Sequence, residues 1–258
     1  MRFSKYGETA LKAAQAGAKT LMRYYNKKLN IEYKGETDPV SQADRESQKA
    51  VIKVIKKAFP RHGILAEEDG VNEMGKEFCW IIDPLDGTVN FVHGVPAFCV
   101  SVALKCKKEI VAGVVYAPVL KEIFFAEKGK GSFLNGKKIK VSAVKDLIRA
   151  LPVTGFPYYV REKSGRVMKN FFNIMMKTQG MRRLGSAALD LAYVACARFD
   201  FFWEEGLKPW DIAAGALLVK EAGGIVSDYK GNKDFIFADT MLASNSTGMH
   251  KKVMEILR

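Results

Sequence analysis

Two carboxylates three residues apart, Asp83 and Asp86, stand in the stretch WIIDPLDGTVNF, residues 80–91. They follow a short apolar, β-prone run, Trp80-Ile81-Ile82, which has the character of a buried strand. The run is expected to stop at Asp83-Pro84-Leu85-Asp86-Gly87, where Pro84 fixes one φ angle and Gly87 permits a left-handed backbone. Two carboxylates held at one strand end repel by about 4 kcal/mol at about 4 Å with an effective dielectric of about 20. A hard divalent cation coordinated by oxygen turns that penalty into binding energy. Thr88 adds a hydroxyl one residue beyond the glycine. The same residues would also suit a plain turn. They do not make a calcium loop, because the spacing departs from D-x-[DN]-x-[DN]-G and no glutamate follows at the required distance.

More acids collect at other element ends. Glu67-Glu68-Asp69 closes the strand-like run Gly63-Ile64-Leu65-Ala66, and such a cluster is costly unless solvated or neutralised by a cation. Asp44 lies in Ser41-Gln42-Ala43-Asp44, which fits an N-terminal capping box and leaves catalysis open as well. Asp211 opens the apolar segment Pro209–Val219, where an acid in the first turn would suit the helix dipole with no further role.

The elements that must position these acids follow from periodicity. Residues 4–29 read as an amphipathic helix, 30–39 as a mobile loop, and 41–58 as a second helix. Beyond the central stretch, Phe98–Leu104, Ile110–Tyr116, Glu122–Ala126 and Gly131–Leu134 alternate as strands of an antiparallel meander, and Leu134-Asn135-Gly136-Lys137 forms a tight hairpin turn. From about residue 150 strand and helix alternate. Ala150–Gly155, Met181–Leu184 and Asp200–Trp203 read as strands, and Glu162–Lys177, Ala187–Ala197 and Pro209–Val219 as helices. Two further strands and a helix over Met249–Leu257 close the chain. No repeat or linker interrupts it, so 1–258 reads as one unit with an N-terminal α+β half, about 1–148, and a C-terminal α/β half, about 149–258.

With 258 residues, 48% hydrophobic and 27% charged, the chain can bury a sizeable core, and no apolar run is long enough to span a membrane. The N-terminus lacks an apolar signal region and reads as the first helix of a cytoplasmic protein. Four cysteines without CxxC spacing read as free thiols, and three scattered histidines argue against zinc chemistry. The net charge of +13 suits an anionic substrate or nucleic acid, but the lysines are spread out and no RNA-binding motif accompanies them. The apolar run Phe98–Tyr116 offers more surface than one sheet face needs, which would suit a dimer contact.

Three separated segments carry a resemblance. Glu67-Glu68, the stretch Trp80–Phe91, and Trp210-Asp211-Ile212-Ala213-Ala214-Gly215 followed by Glu221-Ala222-Gly223-Gly224 are similar, in order and spacing, to the motifs of the inositol monophosphatase family. Each is weak alone and together they are specific; the likeness covers nearly the whole chain. It implies a layered α-β-α-β-α sugar-phosphatase fold of the α+β class, two or three Mg²⁺ per site, Li⁺ sensitivity and a homodimer. Carried over by position, Glu67, Asp83, the Leu85 carbonyl, Asp86 and Asp211 would hold metal. Asp44 and Thr88, with Glu67, would act in catalysis by orienting and activating the attacking water. Asp86, Gly87, Thr88, Gly185, Ser186, Ala187, Glu204, Asp211 and Lys34 would meet the substrate. Val89 departs from a position that is often threonine in the family. A phosphate monoester needs neutralised phosphoryl charge, an activated water and a stabilised leaving oxygen, all of which bound metal supplies; this accords with the lack of a P-loop or serine triad. The implied function is hydrolysis of inositol monophosphate, and also of fructose 1,6-bisphosphate. NADP, nucleotide bisphosphates and histidinol phosphate are alternatives within the family, and a regulatory contact with RNA or the transcription machinery is the alternative outside phosphatase chemistry. Glu204 favours a polyol or sugar, since an ionised acid accepts hydroxyl hydrogen bonds and repels phosphate.

Overall fold

A computed structural model of the chain describes residues 3–27, 31–33, 39–68, 73, 75–162 and 164–257, with backbone only at 31–33, 39–41 and 158. In chain order the first half runs α1 (Lys5–Tyr24), β1 (Ile31–Tyr33), β2 (Pro39–Ser41), α2 (Gln42–Ala58), β3 (Gly63–Ala66), β4 (Phe78–Asp86) and α3 (Thr88–Val92). It continues with β5 (Cys99–Cys106), β6 (Glu109–Ala117), β7 (Glu122–Glu127), β8 (Gly131–Leu134) and β9 (Lys137–Ile139). The second half holds β10 (Val153–Thr154), α4 (Gly165–Met175), α5 (Ala187–Ala195), β11 (Phe201–Glu205), α6 (Pro209–Glu221), β12 (Ile225–Ser227), β13 (Thr240–Ser244) and α7 (Thr247–Ile256).

Strands β3 to β9 form one seven-stranded sheet in sequence order, parallel between β3 and β4 and antiparallel elsewhere. A second sheet has the order β10-β11-β13-β12. Period-two alternation divides the large sheet between two cores. Trp80, Ile82, Val100, Val102 and Leu104 face α1 and α2, where Ala10, Ala13, Ala14 and Ala18 keep α1 close to the strands. Cys79, Ile81, Cys99, Ala103 and Val115 face α5 and α6. The second sheet covers the far side of α5, and its outer face packs on α7 through Phe201, Trp203, Leu242, Met249 and Val253. The result is the α-β-α-β-α layering that the resemblance implied. It also corrects the dimer argument from Phe98–Tyr116: the excess apolar surface is used inside the chain, because both faces of the sheet are covered by its own helices.

Several local expectations are also revised. The stretch 30–39 is not wholly loop, since β1 and β2 pair antiparallel. Helix α1 stops at Tyr24, and Asn26 at φ 61° takes the left-handed conformation that ends helices. Strand β4 does not end at Asp83. It continues through Pro84 to Asp86, with a register shift against β5 between Asp83 and Asp86, a bulge that accommodates a residue with no N–H to donate. Ala150–Gly155 narrows to β10, because Pro152 and Pro157 withhold donors on either side, and Met181–Leu184 contributes only a bridge from Arg182 to Val153. Glu162–Lys177 shortens to α4, preceded by a single 3₁₀ turn at Tyr158–Arg161. The hairpin at Asn135-Gly136 stands as expected, with φ of 48° and 79°. Among the described residues, no helix is long and apolar enough to cross a membrane.

Candidate active site

Because β3 and β4 run parallel, their C-terminal ends reach the same edge of the sheet. Ala66 pairs with Ile82, and the residues that follow each, Glu67 and Asp83, emerge together into a cleft of about 680 Å³. The Glu67 amide donates to the Ile82 carbonyl at 3.3 Å, which fixes this turn to β4. The α2 side chains Ser47 and Gln48 hold the two strand ends from behind. Ser47 Oγ donates to the Pro84 carbonyl at 2.8 Å, and the Gln48 amide group both donates to the Glu68 carbonyl at 2.7 Å and accepts from the Glu68 N–H at 2.9 Å.

The bulge turns successive β4 groups to different tasks. Asp83 Oδ1 accepts from the Leu85 N–H at 2.9 Å, so this acid organises its own loop. Gly87 has φ 96°, and a Cβ there would sit 3.0 Å from the Ala97 carbonyl, so both conformation and space require glycine. It starts α3, whose first residue is Thr88. The Thr88 hydroxyl lies 3.2 Å from Asp44 Oδ1 and 3.0 Å from the Leu85 carbonyl, two acceptors for one proton. Asp44, one of the two, is buried at 1% exposure in the first turn of α2. The Ser41 side chain, and with it the expected cap, lies outside the described residues.

Asp86 and Asp211 are set by helix ends. Asp86 Oδ2 accepts from Ser186 Oγ and from the Ala188 N–H, each at 2.7 Å. Ser186 occupies the N-cap of α5 without capping it, and Asp86 satisfies the free amide in its place. The expected strip Gly185-Ser186-Ala187 therefore borders the cleft, fastened to the end of β4. Asp211 Oδ2 accepts from the Lys208 N–H at 2.7 Å, closing a capping box on α6 while the residue lines the cleft. The helix-start reading of Asp211 thus holds without taking the residue out of the cleft.

Glu204 enters from β11 on the opposite wall, 8% exposed. A Cβ on residue 155 would fall 2.3 Å from both of its carboxylate oxygens, so Gly155 is what lets the Glu204 head group lie where it does. Burial pushes the Glu204 carboxyl up to about 8, with the Arg183 guanidinium pulling it down and Asp86 pushing it further up. At neutral pH burial therefore favours a carboxylic acid there, able to donate as well as accept, where an ionised acceptor was expected.

The structure thus brings Glu67, Asp83, Leu85, Asp86, Gly87, Thr88, Gly185, Ser186, Ala187, Glu204 and Asp211 to one cleft, with Asp44 joined through Thr88. Val89, the departure from the family pattern, stands on the rim at 41% exposure. Lys34 lies outside the described residues. Sequence reasoning missed Ser47, Gln48, Gly155, Arg183 and Asp190. Of these only Asp190 left a signal, as the one charged residue in the apolar helix AALDLAYVA.

The donor set is all oxygen: four carboxylates and the Leu85 carbonyl. Burial raises Asp83 and Asp211, each pushed further by neighbouring acids, and lifts Asp86 to about 6 against the hydrogen bonds from Ser186 and α5. Acids that raise one another in a buried place fit a hard cation. Among the described residues no three acids stand together as a ready-made cage. Magnesium needs none, since it keeps several waters and takes one or two carboxylates.

The cleft lies between the two sheets of a layered phosphatase fold, with the Thr88–Asp44 pair on one wall and the buried Glu204 on the other. The profile of the inositol monophosphatase family matches residues 4–258, and the chain belongs to that family. It is 43% identical over 238 residues to an inositol-1-monophosphatase of Mesorhizobium japonicum, covering 91% of this chain and 90% of that one. It is also 43% identical over 246 residues to the Nus factor SuhB of Pseudomonas aeruginosa, covering 92% and 90%. The crystal structure of the extragenic suppressor protein suhB from Bartonella henselae superposes with a TM-score of 0.92 at 41% identity over 97% of both chains.

Proposed function

We propose that this chain hydrolyses phosphate monoesters of small polyols, as an inositol-1-monophosphatase-type enzyme that also accepts fructose 1,6-bisphosphate. The observation that carries this reading is the arrival of Glu67, Asp83, Asp86 and Asp211, from three separate parts of the chain, in one cleft beside the Thr88–Asp44 pair. Two or three Mg²⁺, held by these four acids and the Leu85 carbonyl, would supply charge neutralisation on the phosphoryl group and activation of water. Thr88 Oγ1, with its proton turned to Asp44, presents lone pairs that orient the attacking water, and Asp44 is the terminal proton acceptor. The backbone around Gly87 and Ser186-Ala187 borders the phosphate position, and Glu204 meets the hydroxyls of the alcohol. A homodimer is part of the proposal through the family resemblance.

Phosphate release tests it. With Mg²⁺ the chain is expected to release phosphate from inositol 1-phosphate, to lose activity in chelator and to be inhibited by Li⁺. The panel adds fructose 1,6-bisphosphate, NADP, a nucleotide bisphosphate and histidinol phosphate to rank the alternatives. No release from any member overturns the reading.

A second reading, a regulatory contact with RNA or the transcription machinery, draws on the Nus factor name of the Pseudomonas relative and on the net charge of +13. Fluorescence anisotropy with a structured RNA at two salt concentrations tests it. Salt-dependent binding that survives Asp86→Asn supports a separate surface function, and absence of binding at low salt removes it.

A further inference from the structure

Asp190 is the lone acid of α5, and its carboxylate is 1% exposed. It nevertheless lines the same cleft as Glu204 and Asp86. Among the described residues, its Oδ1 has no hydrogen-bond partner. A buried carboxylate oxygen with nothing to accept is expensive to keep and calls for a reason.

Two structural reasons fail. An acid in the first turn of a helix commonly caps it, but the cap of α5 is supplied by Asp86, which accepts from Ser186 Oγ and the Ala188 N–H. An ion pair would also justify the burial. Burial, Glu204 and Asp86 push the Asp190 carboxyl up, and the Arg183 guanidinium, which lies against Gly185, is the weakest of these influences on it while also pulling Glu204 down. One positive charge thus serves two carboxylates, and Oδ1 still lacks a donor.

We propose that Asp190 is a second hydroxyl-reading group of the site: Oδ1 accepts from one hydroxyl of the bound polyol while Glu204 engages another. The inference rests on the polyol-phosphate reading and deepens it. The alcohol half of the substrate must then carry at least two free hydroxyls facing this wall.

The test compares kcat/KM on inositol 1-phosphate and on p-nitrophenyl phosphate for the intact chain, Asp190→Ala and Asp190→Asn, with Tm for each. Asp190→Ala is expected to lose roughly 10- to 100-fold on the polyol ester, mostly in KM, and to keep its activity on the aryl ester, which has no hydroxyl to read. Asp190→Asn retains an acceptor oxygen and should lose less, again on the polyol ester alone. Equal losses on both esters with a lowered Tm would assign Asp190 a structural role and overturn the proposal, as would an unchanged polyol rate. Should the alanine variant fail to fold, the asparagine variant decides by the same contrast. If the unaltered chain cleaves the aryl ester but no polyol phosphate, the functional reading itself fails and this inference goes with it. A rejected Asp190 role with an active wild type leaves that reading standing.

Discussion

Asp86 Oδ2 accepts a 2.7 Å hydrogen bond from the amide of Ala188, tying the bulged end of β4 to the first turn of a helix 102 residues further along the chain. One carboxylate thereby fastens β4 to α5 and faces the cleft. Asp86→Asn removes the charge at nearly constant volume and keeps an oxygen for the Ala188 amide. Steady-state kinetics should show kcat lowered by at least roughly 10²-fold, the scale of losing one key electrostatic group. Near-wild-type turnover would remove Asp86 from the site.

Asp44 receives the Thr88 hydroxyl at 3.2 Å from a position in the first turn of α2. If it served only the helix, its loss would cost about 1 kcal/mol and leave the rate alone. The relay reading expects Asp44→Asn to depress kcat with a small change in Tm. Lost stability at unchanged kcat would return Asp44 to a capping role.

Gly155 gives Glu204 its room, with the would-be Cβ 2.3 Å from both carboxylate oxygens. Gly155→Ala should therefore push the acid aside, raising KM for inositol 1-phosphate while sparing an aryl phosphate. Parallel kinetics on the two esters check this, and indifference to the alanine would show that the Glu204 head group is not held by contact with residue 155.

His250 is a stability switch remote from the cleft. Its ring bridges Ser227 Oγ at 2.8 Å and Ser244 Oγ at 2.9 Å, and burial pushes it down to about 4. Between about pH 6.5 and 4 the unfolded chain then holds an extra proton at this residue, so stability is full above that window and falls as pH falls through it. Tm measured against pH should show a shallower acid slope in His250→Gln than in the natural chain; identical slopes would refute the assignment.

The homodimer expectation meets a direct measurement. Light scattering at micromolar concentration should give about twice the 28.7 kDa chain mass, and a monomer mass refutes it.

The sequence by itself determined whatever depends on neighbours a few residues away. Gly63–Ala66 formed the expected strand, Asn135-Gly136 the expected hairpin, and Pro209 and Asp211 the expected helix start, because periodicity, φ preference and capping are local properties. The types of the cleft-lining acids were likewise legible in their motifs. Tertiary structure decided the rest. The second face of the large sheet is dry because α5 and α6, more than sixty residues downstream, cover it, and no count of apolar residues in β5 and β6 could say so. Pro84 stays within a strand because β5 tolerates a bulge opposite it. Glu204 is pushed toward its neutral form by burial, and among the described residues Asp190 Oδ1 is left without a donor by the segments packed around it. Hydrogen-bond partners and desolvation are properties of a place in the fold, and the sequence specifies that place only once every segment has been packed.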